Sequence, residues 1–76
     1  MDRSKEDLSG NAIEIFRDLV AKSPNQSTFR YHLGMALSQK GDEPKAIKEL
    51  NDALKYNPPT EERDKIQLLL SRLQGV

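Results

Sequence analysis

The stretch "FRYHLGMAL", residues 29–37, decides the fold. Phe29, Tyr31, Leu33, Met35 and Leu37 alternate with Arg30, His32, Gly34 and Ala36, which is the period of a half-buried strand. Gly34 sits at its centre, where a strand loses side-chain packing. The flanks choose between strand and helix. "SPNQST" precedes the stretch as a polar turn, with Ser27 or Thr28 available as N-cap. "KGDEP" follows it: Gly41 suits a left-handed C-cap, Asp42 can cap a new helix, and Pro44 belongs in that helix's first turn. Residues 28–40 are therefore bounded like a helix of about three turns.

A helix with this composition has apolar residues on two sides. At about 100° per residue, Phe29, Leu33, Ala36 and Leu37 share one face, and Tyr31, Met35 and Ser38 lie roughly opposite. The first face is expected to pack on neighbouring helices.

Helical spacing continues on both sides. Ala12, Ile13, Phe16, Leu19 and Val20 form one helical face, and Pro24 stops it. The same set returns as Ala46, Ile47, Leu50, Ala53 and Leu54, with Pro58 in the place of Pro24. The offset is 34 residues throughout, the sign of a stacked repeat. Ile66, Leu69, Leu70 and Leu73 define a last helix, with Thr60 as expected N-cap and Glu61 and Glu62 in its first turn. The polar start "MDRSKED", residues 1–7, reads as a tail or an extra helical turn.

With these residues in place, the segment from Ser27 to Thr60 resembles one complete tetratricopeptide repeat, a 34-residue helix–turn–helix unit. Leu33 and Gly34 match its Leu-Gly pair, Gly41 and Asp42 its inter-helix turn, Ala46, Leu50 and Ala53 its second helix, and Pro58 its closing proline. Arg30 stands where the family usually has tryptophan, and Phe29 beside it is expected to fill the space. The resemblance implies an all-α, TPR-like stack of about four antiparallel helices: a half repeat over 8–24, a full repeat over 27–60 and a capping helix over 60–74, forming one domain over 8–76. The phrasing "FRYHLGMAL…KGD" is also similar to the last repeats of larger bacterial proteins built of many such units. Aligned at 36 residues, Leu33-Gly34 falls on Leu69-Leu70. That alignment implies a longer loop before the last helix and a glycine replaced by leucine there, where no partner helix follows.

The family's concave, partner-lining positions fall on Thr28, Tyr31, Met35, Ser38 and Gln39. Tyrosine beside flexible methionine suits an extended peptide or an amphipathic helix. Packing of Tyr31 and Met35 on the last helix is the competing reading. Repeats that clamp a C-terminal carboxylate use lysine and asparagines on this face, whereas Tyr31, His32 and Met35 occupy the matching positions here. Lys65 and Arg72 offer positive charge on the last helix.

The 76 residues contain no cysteine, which excludes disulfides and thiolate metal sites. Twelve basic and twelve acidic residues cancel, so the basic stripe of a nucleic-acid binder is missing. His32 is the one histidine; with few ligating neighbours it reads as an exposed polar residue. Nucleophile–base pairs, phosphate-cradling glycine loops and paired-histidine metal motifs are absent from the sequence, so neither catalysis nor a cofactor is expected. Nothing resembles a signal peptide or a membrane span, and the chain reads as soluble with no compartment indicated. Lys45 and Glu49, four apart, are expected to pair. The expected function is a protein–protein interaction module taking a partner peptide or domain in a helical groove. A structural module that dimerises or stacks through open helical ends, giving a homo-oligomer, is the alternative.

Overall fold

The structure, a computed structural model, describes residues 8–75; the expected N-terminal tail or turn lies outside them. Four α-helices follow one another: α1 (Leu8–Lys22), α2 (Ser27–Lys40), α3 (Glu43–Lys55) and α4 (Thr60–Leu73). No strand occurs among the described residues. The alternation in "FRYHLGMAL" is thus helical. Its cause is position: α2 packs against α1, α3 and α4 and needs apolar side chains around most of its circumference.

Two clusters form the core. Ile13 of α1, Leu33, Ala36 and Leu37 of α2, and Ala46 of α3 make the first, with Ala12, Phe16 and Val20 packed on it. Tyr31 of α2, Leu50 and Ala53 of α3, and Ile66 and Leu70 of α4 make the second. Leu50 and Ile66 are completely buried. Each such side chain contributes about 1.5–3 kcal/mol by leaving water.

The α2–α3 turn is made by Gly41, whose φ of 98° is left-handed. Its N–H bonds the Leu37 and Ser38 carbonyls, and the Asp42 N–H bonds the Leu37 carbonyl at 2.9 Å, closing the last turn of α2. Asp42 does hold the N-cap position of α3, but its side chain makes no cap bond and lies 3.8 Å from Lys45 Nζ. Two other caps differ from expectation. Gln26, not Ser27 or Thr28, precedes α2, and its carbonyl accepts the N–H of Phe29. Ser27 is drawn into the first helical turn and buried, while the Thr28 hydroxyl donates to Glu62 Oε1 at 2.9 Å instead of capping. Pro59, not Thr60, precedes α4, with its carbonyl accepting the Arg63 N–H at 2.8 Å.

The expected Lys45–Glu49 pair does not form. Glu49 is taken by Arg30 at 3.2 Å, because α3 turns Glu49 toward α2. Arg30 also stands 3.6 Å from Asp52, donates from Nε to the Pro24 carbonyl at 3.1 Å, and lies over the Tyr56 ring. Arg30 itself, rather than Phe29, therefore fills the place where the family usually puts tryptophan: an arginine stem and planar head cover an aromatic ring while the charge meets two carboxylates.

The register of α4 is also corrected. Residues 23–26 join α1 to α2, and residues 56–59 join α3 to α4, so both connections have the same length. In the second, Asn57 adopts a left-handed φ of 54°, a conformation asparagine tolerates. Burial in α4 falls on Glu62, Ile66, Leu69, Leu70 and Leu73, each partly or fully covered. In α2 the face toward α1 carries Phe29, Leu33, Ala36 and Leu37, each 33 residues earlier than one of the first four. At this spacing Gly34 matches Gln67, which is exposed. The 36-residue alignment follows the Leu-Leu pair, but burial follows the face that meets the preceding helices.

Candidate partner-binding face

Side chains on α2 advance about 100° per residue. Thr28, His32, Met35 and Gln39, spaced i, i+4, i+7 and i+11, fall within roughly 60° of arc. They are the side of α2 left between α1 and α4. Thr28, His32 and Met35 are half-buried and Gln39 is exposed.

The expected site residues divide on this geometry. Thr28, Met35 and Gln39 share the stripe. Tyr31 is turned away from it and buried with Leu50, Ala53, Ile66 and Leu70, where its ring fills the space between α2, α3 and α4. Ser38 is half-buried on the Tyr31 side. Met35 packs on the edge of the same cluster. Tyr31 thus shapes the face from beneath.

His32 joins the stripe, a place the sequence reading does not give it. It is half-buried rather than exposed: its ring stacks on Phe16 of α1, with centroids 5.2 Å apart and planes 23° apart, and meets Tyr31 at 5.1 Å. Its position four residues after Thr28 and three before Met35 is the signal in the sequence that could have found it.

The corrected register carries the stripe onto α4. Glu61, Lys65, Leu68 and Arg72 stand 33 residues after Thr28, His32, Met35 and Gln39, and all four are exposed. Leu68 is 58% exposed, unusual for a large apolar side chain. Met35 and Leu68 hold the same position on two helices that lie alongside each other, and the Thr28–Glu62 hydrogen bond ties the helices near their N-termini. The ion pairs among the described residues involve neither Lys65 nor Arg72. The face thus carries Met35 on α2 and Leu68 at the matching position on α4, with Glu61, Lys65 and Arg72 exposed along the same stripe.

The chain was compared with known proteins. A family model described as tetratricopeptide repeat matches residues 10–73. The chain belongs to the tetratricopeptide repeat family. That family is a non-catalytic repeat module whose members generally mediate protein–protein interaction. No match was found among curated proteins or among solved structures.

Other features of this tetratricopeptide domain offer less. A cleft of about 310 Å³ between α1 and the α2–α3 turn is lined by Glu14, Arg17, Lys40, Asp42 and Lys45 among others, charges that largely balance one another. Among the described residues no group of three or more histidines and carboxylates is placed to hold a metal. No described helix is long and apolar enough to cross a membrane.

The Asp52 carboxyl titrates below the ordinary aspartate value. Partial burial works to raise its pKa, but the hydrogen bonds and charges of Lys48 and Lys55 outweigh burial. It belongs to the Arg30 cluster and is remote from the stripe.

Proposed function

We propose that the chain is a protein-binding module whose α2–α4 face takes a segment of a partner protein, as one part of a larger repeat scaffold. The observation that carries this reading is the exposed Leu68, at the position on α4 that Met35 holds on α2, in line with Lys65 and Arg72. A large apolar side chain left in water next to exposed cations suits a partner segment with an apolar residue flanked by carboxylates. The apolar residue would lie over Met35 and Leu68, with Thr28 and Gln39 supplying hydrogen bonds along the stripe. Tyr31 would support the face from below, and Ser38 would border it.

The test uses exposed residues, so that loss of binding is not loss of fold. Proteins captured on the immobilised chain are identified by mass spectrometry, and direct binding of each is then measured. Leu68→Ser and Arg72→Glu are expected to weaken binding at least severalfold while the helical circular dichroism and melting temperature stay unchanged. Binding indifferent to both substitutions removes this face from the assignment. Assembly through open helical ends is the competing reading, and sedimentation equilibrium decides it: a monomer at high micromolar concentration counts against it.

A further inference from the structure

Glu61, Lys65, Leu68 and Arg72 stand at i, i+4, i+7 and i+11 on α4, and all four are exposed. At about 100° per residue they fall within roughly 60° of arc, so they form one stripe along the helix. From its N-terminal end the stripe reads negative, positive, apolar, positive. Exposed Asp64, at its edge, adds to the negative end. The complete repeat shows what stacked helices do to such a stripe. Both α3 and α4 follow α2, yet Thr28, His32 and Met35 stay half-buried and Gln39 exposed. Helices stacked on α4 in the same way would leave its stripe within reach, so the occupant comes from outside the stack.

We propose that this occupant is a partner α-helix running antiparallel to α4, with acidic, apolar, acidic and basic residues at i, i+4, i+7 and i+11 of its own sequence. The proposal rests on the α2–α4 face as the binding face and adds the kind of segment bound there. At 1.5 Å per residue the intervals along the stripe are about 6, 4.5 and 6 Å. A helix laid alongside reproduces all three. An extended segment turns a side chain to one face about every 6.6–6.8 Å and overruns the short step from Lys65 to Leu68. Charge complementarity asks for carboxylates opposite Arg72 and Lys65, an apolar side chain opposite Leu68 and a cation opposite Glu61. Only the antiparallel direction puts the acidic end of that pattern at the partner's N-terminus and the basic end at its C-terminus, where the helix dipole favours each. It also sets the second acidic residue four positions before the basic one, the more stabilising order for such a pair. The parallel direction reverses both.

A second copy of this chain does not supply the helix. No stretch of the sequence carries acidic, apolar, acidic and basic residues at these spacings. Asp42, Ala46, Glu49 and Ala53 come nearest, but the basic residue is missing and both alanines are buried.

The test uses the full chain and two synthetic helical peptides, each with a hydrocarbon staple on the side opposite the four residues. The first peptide carries glutamate, leucine, glutamate and lysine in the proposed order. The second carries lysine, glutamate, leucine and glutamate, the order a parallel helix would need. By fluorescence anisotropy the first is expected to saturate one-to-one and to bind about tenfold or more tightly than the second. Leu68→Ser in the chain weakens the first peptide severalfold with circular dichroism unchanged. Arg72→Glu weakens it as well, and replacing the first glutamate of the peptide by lysine restores binding to that variant. The proposal is overturned if the first peptide does not saturate, if the two orders bind alike, or if the lysine replacement restores nothing. Captured partner proteins that still lose binding on Leu68→Ser would then leave the face standing and overturn the helix alone. Captured partners and peptides both indifferent to Leu68→Ser take the face away as well. A dimer of the chain that Leu68→Ser dissociates also overturns the proposal.

Discussion

Gly34 of α2 and Leu50 of α3 touch so closely that a Cβ built on Gly34 would stand 2.7 Å from Leu50 Cγ and 2.8 Å from its Cδ2. The Ala46 carbonyl oxygen, at 3.3 Å, closes the remaining side. The hairpin is set at this spacing by the missing side chain. Gly34→Ala gains about 0.8–1 kcal/mol of helix propensity, yet the clash falls on a branch carbon of a buried leucine rather than a flexible tip. A net loss of about 1–2 kcal/mol is expected in urea unfolding. Leu50→Ala alone costs about 2–5 kcal/mol. In that background Gly34→Ala should become neutral or stabilising. Strictly additive effects would show that the two residues do not press on each other.

Arg30 joins the start of α2 to the second half of α3 through Glu49, Asp52 and Tyr56. Arg30→Ala is expected to lower stability by roughly 1–3 kcal/mol, the range for charge-assisted hydrogen bonds and a covered aromatic ring. Arg30→Lys should recover only part, since an ammonium lacks the planar fork. Full recovery by lysine would reduce the contact to simple charge.

Asp52 contributes to the acid limb of stability. Its folded-state pKa lies below the ordinary aspartate value, so its contribution is fully present above that ordinary value. The contribution is lost as the pH falls through the lower folded-state pKa. Asp52→Asn should therefore destabilise the chain at neutral pH and flatten the fall in melting temperature at acidic pH. An unchanged acid limb in Asp52→Asn places the acid sensitivity elsewhere.

Tyr31 and Gln39 separate support from surface. Tyr31→Ala is expected to cost about 3 kcal/mol or more, as for other buried aromatic residues, which unfolds much of a domain this small. Gln39→Ala should stay within about 0.5 kcal/mol. A well-folded Tyr31→Ala variant would return the tyrosine to the partner-binding stripe.

Gly41 requires its left-handed φ of 98° to end α2. Gly41→Ala meets no neighbouring atom, so its expected cost of about 1 kcal/mol is conformational. Gly41→Asn should cost less, because asparagine tolerates that region. Equal losses for both would point to a cause other than backbone conformation.

Local chemistry written in the sequence was enough for the helices, the Gly41 turn, the 34-residue repeat and the family. Pro24 and Pro58 stop helices wherever they sit, and a period of 3.6 marks a buried face before anything packs on it. Tertiary structure decided what depends on which helix lies beside which. Arg30 met Glu49 across two helices, where sequence spacing favoured Lys45, because the α2–α3 crossing brings the guanidinium there. The register of α4 followed the face it buries against α2 and α3 instead of its leucine pair. Tyr31 follows the packing reading, buried against α3 and α4, while His32 is half-buried where an exposed residue was expected. A step of about 100° sends one into the core and the other to the stripe, and only the positions of α1 and α4 around α2 determine which side is which.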